Sequence, residues 1–245
     1  MPALKHAAIG AALAALLAAA SAHAQPPPVI GIPPQTAPAA GGCAPTGLFR
    51  AVVRNVTPGL AAADRAAQPR TLWRQGAKYL RSEEQPDPAS GSQGVFIVAE
   101  PDIWVLDQST RSGQHSTDPG PELEVRAPIL PPSLDTPAPF RTLEFGCEGA
   151  FVAAYAPRAQ RFVPWGTTVA GLHAVTLGDH SLAILMDDRR GAPLMISYIR
   201  QGRPVLVLRY DDYRGEQPER PGVFAPPKGF QITEAKGQPP PLKLN

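Results

Sequence analysis

The sequence has no residue pattern typical of a common catalytic site. It contains no G-x-S-x-G nucleophile turn, no phosphate-binding loop, no G-x-G-x-x-G fingerprint and no H-E-x-x-H zinc motif. The sequence also lacks an excess of one charge, since 23 basic and 21 acidic residues leave a formal net charge of +2. Without a basic surplus there is no broad attraction to nucleic acid. These absences predict a protein that is not an enzyme of a recognised class and does not bind nucleic acid.

Long hydrophobic runs are absent apart from the first residues. The longest run, residues 7–20, is rich in alanine and leucine but shorter than the ~20 residues that a helix needs to cross a bilayer. Lys5 precedes it, and residues 21–24 read S-A-H-A, which is the pattern of an A-x-A cleavage site. We therefore predict a signal peptide over residues 1–24, cleaved after Ala24, no transmembrane segment, and a periplasmic or secreted mature protein.

Only two cysteines occur, Cys43 and Cys147. Their spacing excludes a C-x-x-C redox motif. In an oxidising compartment such a pair is normally a disulfide. The bond would close a loop of roughly 100 residues and stabilise the fold by about 4 to 5 kcal/mol in the chain-entropy model. Two unpaired buried thiols are the alternative.

Proline-rich stretches divide the chain. Residues 25–45 hold many prolines, alanines and glycines but few bulky side chains, so we expect a disordered lead that the disulfide attaches to the folded body. Residues 235–245 have a similar composition and are expected to form a disordered tail. A third proline-rich stretch, residues 118–139, interrupts the middle of the chain. The prediction is a single β-rich domain over residues 46–234 with this loop as an insertion.

Alternation with a period of two dominates the body of the chain. Short runs of β-branched and aromatic residues are separated by Gly, Pro and Asp, which predicts consecutive hairpins in an antiparallel sheet. The expected class is mainly β (β-rich α+β) with few short helices. The predicted helix covers residues 57–67, where Pro58 follows Thr57. The predicted strands cover residues 48–56, 71–83 (one long strand or a bent pair), 95–99, 103–107, 143–155, 167–177, 182–186, 194–200 and 205–213.

Three histidines remain after the predicted cleavage. One hydrolase hypothesis combines Ser181, His115 and Asp118, although no motif supports it. A zinc site built from His115, Asp118, His173 and His180 lacks the usual ligand spacing. We therefore expect no catalytic residue, no metal and no cofactor.

Aromatic side chains recur along the predicted strands. Tyrosine and tryptophan offer a large apolar surface with one polar atom, which suits the wall of a site for an apolar group. Ordinary core packing is the alternative. The residues predicted to line a binding cavity are Trp73, Tyr79, Phe96, Trp104, Tyr198, Leu208 and Tyr210.

The last third of the chain resembles a known family. A Gly turn leads to Pro-Leu at residues 187–194, L-R-Y-D-D-Y follows at 208–213, and V-F-A-P-P-K-G-F at 223–230. This order resembles the closing hairpins of the LolA/LolB-like superfamily of periplasmic lipoprotein carriers and related uncharacterised secreted domains. The resemblance covers residues 70–107 and 165–232. It implies a curved, open antiparallel sheet, like half a barrel, that can hold acyl chains.

The sequence and the resemblance together suggest a function. We expect a non-catalytic binding protein for a hydrophobic or amphipathic envelope ligand, a lipid or an acyl group. One alternative is a structural module of the envelope that docks a partner protein on the sheet. A second alternative is a hydrolase with an unrecognised site.

Overall fold

A single sheet organises the computed structural model, which describes residues 43–118, 125–187 and 189–235. Within these ranges the strand order is β12-β6-β5-β4-β3-β2-β1-β11-β10-β9-β8-β7. All neighbours pair antiparallel except β12, which runs parallel to β6. The strands are β1 (Leu48–Asn55), β2 (Arg70–Gln75), β3 (Tyr79–Glu84), β4 (Gly94–Ala99), β5 (Asp102–Asp107), β6 (Ser112–Thr117), β7 (Arg161–Trp165), β8 (Thr168–Leu177), β9 (His180–Asp187), β10 (Ala192–Arg200), β11 (Arg203–Gln217) and β12 (Gln231–Glu234).

Two hairpin series meet at β1. Strands β2 to β6 form one series and β7 to β11 the other, and β1 pairs with β2 on one side and with β11 on the other. Short turns join the strands of each series, as at Gly76, whose φ of 57° suits a glycine. The sheet is open, because β12 and β7 are its two edges. The predicted mainly β class with an open antiparallel sheet and few short helices is therefore confirmed.

One face of the sheet, here called the core face, carries the main hydrophobic core. Residues 125–156, here called the cover, supply buried side chains such as Ile129, Phe140 and Phe145 to this core. The cover contains a 3₁₀ helix (Ala138–Thr142) and the α-helix α1 (Glu148–Tyr155). The proline-rich sequence and the helix therefore have the same role, which is to exclude water from the core face.

The opposite side, here called the outer face, holds two smaller apolar clusters. One contains Val95, Ile97 and Leu106, against which Phe224 and Phe230 pack. The other contains Ala170, Leu185, Met195 and Val207. Because β10 and β11 contribute to the core on one face and to a cluster on the other, their sequences are apolar at successive positions.

The helix prediction over 57–67 and the strand prediction over 143–155 are wrong. In the first segment only Arg65–Ala67 is helical, as a 3₁₀ turn, because the segment is mostly exposed and has no apolar stripe to bury. In the second, residues 148–155 form α1. Phe151 and Val152 are both buried there, which suits successive residues of a helix better than the two faces of a strand.

The predicted disulfide between Cys43 and Cys147 is confirmed. The two Cα atoms lie 5.8 Å apart, and the bond joins the segment before β1 to the residue before α1. The predicted signal peptide, nearly all of the lead, residues 119–124 of the insertion and all but the first residue of the tail lie outside the described residues. Among the described residues, no helix has the length and hydropathy needed to cross a membrane.

Candidate functional site

A cavity of about 440 Å³ opens between the core face and the cover. Its volume lies within the range of about 300 to 1,000 Å³ that is usual for small-molecule sites. The ends of β1 and β3, the start of β11, the 3₁₀ turn before β2 and the cover all contribute to its lining. The lining residues include Val53, Arg65, Arg70, Glu84, Ile129, Phe145, Leu206 and Leu208.

The inner wall of this cavity is apolar. Leu206 and Leu208 point from β11 to the core face, where Leu208 pairs with Ile196 of β10. Ile129 and Phe145 reach the same space from the cover and are 3% and 5% exposed. The wall therefore offers hydrophobic contact to a ligand from both the sheet and the cover.

The mouth of the cavity carries charge. Arg70 Nη2 donates to Glu84 Oε1 at 3.1 Å, and Arg65 Nη2 donates to Glu84 Oε2 at 2.5 Å. Burial lowers the pKa of Arg70, and the charge of Glu84 opposes that change. The hydrogen bond to Glu84 raises the pKa of Arg65. Among the residues that line the cavity, two guanidinium groups face one carboxylate, so the lining has one excess positive charge. Asp87 and Asp107, which are not part of the lining, also act on Arg65.

The seven residues predicted to line a cavity divide between the two faces of the sheet. Phe96, Tyr198, Leu208 and Tyr210 belong to or pack against the core cluster, and of the seven only Leu208 lines the cavity. On the outer face, Trp73 lies opposite Arg81 and Trp104 lies opposite His115. Tyr79 packs against Phe224 on that face with ring centroids 5.3 Å apart. The structure therefore does not bring the seven together.

The hydroxyl groups of the predicted site tyrosines on the core face, Tyr198 and Tyr210, make hydrogen bonds within the protein. Tyr198 Oη donates to the Asp135 carbonyl at 3.1 Å and lies 2.6 Å from His180 Nδ1. Tyr210 Oη donates to Glu148 Oε1 at 2.6 Å. On the outer face, the guanidinium groups of Arg50 and Arg81 lie 5.7 and 5.8 Å from the centre of the Trp73 ring. These contacts fix the aromatic rings in place.

Sequence reasoning missed most of the cavity. Ile129 falls in a stretch interpreted as a loop insertion, and Phe145 in a stretch interpreted as a strand. Arg65 falls in the predicted helix. The one usable signal is in β11, whose apolar residues at successive positions indicate that both faces of the sheet are covered.

The residues of the hydrolase hypothesis are far apart. His115 lies on β6 and Ser181 on β9, which are eight positions apart in the strand order. The Ser181 hydroxyl instead lies 3.0 Å from the Thr176 hydroxyl. His115 lies between two carboxylates, with Nε2 2.7 Å from Asp102 Oδ1 and Nδ1 2.9 Å from Glu234 Oε1. The structure therefore does not assemble Ser181, His115 and Asp118.

The histidines of the zinc hypothesis are also dispersed. His173 is buried, and its Nδ1 lies 2.7 Å from the Ala156 carbonyl, while His180 is on the neighbouring strand beside Tyr198. Within the part of the chain that the structure describes, no three His, Cys, Asp or Glu side chains are grouped to hold a metal ion.

Three buried ionisable side chains join the cover to the sheet, and we call them the polar anchor. Arg74 of β2 lies on the core face, and its Nη2 is 2.8 Å from Glu144 Oε2 in the cover. Arg74 also donates to the carbonyls of Phe145 and Val125 at 3.0 and 3.2 Å. The third member, Glu148, accepts from Tyr210 and, at 3.0 Å, from the Gly146 amide. The burial of these polar groups is offset by the hydrogen bonds between the cover and the sheet.

Glu148 makes stability depend on pH. Burial raises its pKa from 4.5 to about 7, against the opposing hydrogen bond from Tyr210. The folded state therefore keeps a proton that the unfolded chain releases, so this stability is full below pH 4.5 and is lost as pH rises to about 7. We expect a loss of about 3 kcal/mol across this window.

Urea unfolding at pH about 5 and about 8 measures this loss, because the two values bracket most of the window. In the Glu148→Gln variant the side chain stays neutral, its oxygen can accept from Gly146 and its amide can donate to the Tyr210 oxygen, so the difference between the two pH values should shrink. The exposed Glu219→Gln is the matched control and should behave as the parent protein. An unchanged pH dependence in Glu148→Gln would contradict the assignment.

Comparison with known proteins gives only distant structural likenesses. No family model and no curated protein matches the chain. A crystal structure of an uncharacterised conserved protein from Thermus thermophilus is 11% identical, with a TM-score of 0.43 over 78% of this chain and 91% of that one.

The complex of MucA and MucB from Pseudomonas aeruginosa has 11% identity and a TM-score of 0.40, over 79% of this chain and 62% of that one. A crystal structure of MucB has 11% identity and a TM-score of 0.41, over 76% and 59%. The chain thus spans less than two thirds of the MucB chains. Because these TM-scores are low, the similarities do not assign a family or a function, and the resemblance to the LolA/LolB-like superfamily stays a prediction.

Proposed function

We propose that the protein is a non-catalytic binding protein of the cell envelope that takes an amphipathic ligand, with an acyl chain and an acidic head, into the cavity under the cover. The observation that carries this proposal is the pairing of an apolar inner wall with a net positive mouth. An acyl chain would lie against Leu206, Leu208 and Phe145, and an acidic head would lie beside Arg65 and Arg70.

An extracytoplasmic location is part of the proposal. The disulfide between Cys43 and Cys147 supports it, because such bonds persist in oxidising compartments. The S-A-H-A pattern at residues 21–24 supports it independently as a cleavage site. Together they favour a periplasmic or secreted protein. The single sheet of the described residues supports one folded domain over residues 46–234.

The non-catalytic part of the proposal rests on what the histidines contact. His173 and His180 make contacts within the core face, and His115 bridges two carboxylates at the edge of the sheet. None of the three lies among the residues that line the cavity. A ligand bound there would meet arginine, glutamate, the amides of Asn55 and Gln68, and apolar side chains.

Titration with cis-parinaric acid, a fluorescent fatty acid, tests the binding site. In Leu206→Trp a larger side chain fills the cavity, and we expect affinity to fall by roughly tenfold or more, since the apolar contact of the acyl chain is lost. Val205→Trp is the matched control, because Val205 is the preceding residue on β11, is 38% exposed and is not among the residues that line the cavity. Equal affinity in the two folded variants would contradict the proposal.

The mouth is tested with the same probe and a neutral competitor. Charge reversal in Arg65→Glu should weaken cis-parinaric acid at low salt by roughly three- to tenfold, while a long-chain alcohol should compete equally well in both proteins. If the acid and the alcohol lose affinity equally, the charged mouth does not recognise the head of the ligand.

A second candidate function is docking of a protein partner at the β7 edge. Phe162 and Val169 are 65% and 56% exposed there, and they lie on neighbouring strands of the core face. Exposed apolar side chains at a sheet edge are a common feature of interaction surfaces. Replacing Phe162 with aspartate should abolish binding of such a partner without changing the affinity for cis-parinaric acid, which separates the two candidates.

A further inference from the structure

Residues 219–235, here called the strap, cross the outer face of the first hairpin series. Arg81 Nη1 donates to the carbonyls of Val223 and Ala225 at 2.8 and 3.1 Å. Phe224 and Phe230 pack on the cluster around Ile97. The strap then ends as β12 along the edge of β6, so the chain's own last described residues cover an edge strand.

The attachment of β12 is slight. Its four residues are all exposed, and they pair with residues 112–115. The Gln231 amide donates to the Arg111 carbonyl at 2.9 Å, and the Ala235 amide donates to the His115 carbonyl at 2.7 Å. A short strand with exposed hydrogen bonds and little apolar contact belongs to the regions of a protein that open most easily.

His115 is the side chain that connects β12 to the inner strands. Its Nδ1 lies 2.9 and 3.0 Å from the two oxygens of Glu234 on β12, and its Nε2 lies 2.7 Å from Asp102 Oδ1 on β5. The imidazole ring is stacked on Trp104, with ring centroids 5.2 Å apart. Ionised carboxylates can only accept hydrogen bonds, so both contacts require a proton on each ring nitrogen.

We propose that His115 is a proton-operated latch, whose imidazolium holds β12 on the edge of β6 and whose deprotonation releases it. A neutral imidazole carries one N–H, so it leaves one bare nitrogen facing a carboxylate. The shorter contact, between Nε2 and Asp102 at 2.7 Å, keeps the remaining proton, so the contact between Nδ1 and Glu234 is lost. Release of β12 exposes backbone groups of residues 112–115 at the sheet edge, where an extended segment of a partner can pair.

The charged groups around His115 determine whether the latch opens at low or at high pH. The facing groups are Glu234 on β12 and Asp102 on β5, and β6 itself has no other charged side chain. Arg111 and Lys228 lie at the opposite end of the pairing, where Gln231 begins β12. The pKa of His115 is raised above 6.5. The hydrogen bond to Glu234 is the largest cause of this rise, and the hydrogen bond to Asp102 is the second largest. The latch is therefore fully closed below pH 6.5 and opens as pH rises through the raised pKa.

Amide hydrogen exchange of the full chain tests the latch. Protection factors, corrected for the intrinsic effect of pH, are measured for residues 231–235 at pH about 5.5 and about 8.5, on either side of the histidine range. We expect protection in β12 to fall by roughly two- to fivefold at the higher pH, which is the range for an exposed ion pair. The Val56 amide, bonded to the Val207 carbonyl in the centre of the sheet, should keep its protection.

Two variants separate the latch from general loosening. In Glu234→Gln the amide can accept from a protonated Nδ1 or donate to a bare one, so β12 should stay protected at both pH values. His180→Gln changes another histidine that contacts a carboxylate, Asp179 at 3.2 Å, and should keep the pH dependence of the parent. The proposal is overturned if β12 protection in the parent does not change with pH, or if Glu234→Gln responds as the parent does.

Discussion

Replacing Arg74 with methionine is expected to lower the free energy of unfolding by about 3 to 5 kcal/mol. The side chains of Arg74 and Glu144 are 2% and 1% exposed, so neither charge has water to replace a lost partner. Arg74 also satisfies the carbonyls of Phe145 and Val125. The variant would leave two buried carbonyls and part of a carboxylate without a donor, and the cover would lose its main polar attachment to β2.

Arg126 provides the matched control for this prediction. It reaches the other oxygen of the same carboxylate, with Nη2 2.7 Å from Glu144 Oε1, but its side chain is 56% exposed. Arg126→Met should cost clearly less than Arg74→Met, because Arg126 is half exposed and Glu144 keeps its buried contact with Arg74. Urea unfolding curves of the two variants measure the difference. Equal losses in both would contradict the role given to the buried contact.

Removal of the disulfide is expected to have an effect of similar size. The cysteines are separated by 104 residues, and a loop of that length corresponds to about 4 to 5 kcal/mol in the chain-entropy model. In Cys43→Ser/Cys147→Ser, residues 43–47 lose their covalent attachment and keep few contacts, such as the Gly76 amide on the Pro45 carbonyl at 2.7 Å. We expect both a lower midpoint of thermal unfolding and proteolytic cleavage close to residue 43.

A free-thiol assay on the native, unreduced protein accompanies this experiment. We expect that neither cysteine reacts before reduction and that both react after it. Two reactive thiols in the untreated protein, or a serine double variant as stable as the parent, would contradict the stabilising role of the bond.

The sheet could largely be predicted from the sequence because hairpins are local. Alternating apolar residues on both sides of a Gly or Pro turn specify two strands and their pairing, as in β4 and β5 around Pro101. The strand prediction fails for residues 143–155, because Gly146 and Gly149 interrupt the alternation and the alanines favour a helix. The polar β6 was missed because its sequence, S-G-Q-H-S-T, has no apolar face, as suits a strand beside a sheet edge.

The candidate site could not be predicted in the same way because it depends on long-range packing. Alternation places Trp73 and Tyr79 on one face, but only the registers of β3 with β4 and of β4 with β5 show that Trp104 shares it and that Phe96 does not. The cover forms the side of the cavity opposite the sheet, and its proline-rich sequence has no periodic pattern of apolar residues. The presence of a charged residue, Arg74, at a strand position likewise does not indicate that Glu144 is its buried partner.

Native mass spectrometry is the most direct test of a ligand site under the cover. The protein is purified from its host without detergent and then incubated with excess palmitic acid. We expect one amphipathic acidic molecule bound per chain, retained in Val205→Trp and lost in Leu206→Trp. Protein that stays unliganded in all three forms, or that binds the acid equally in both variants, would contradict a ligand site under the cover.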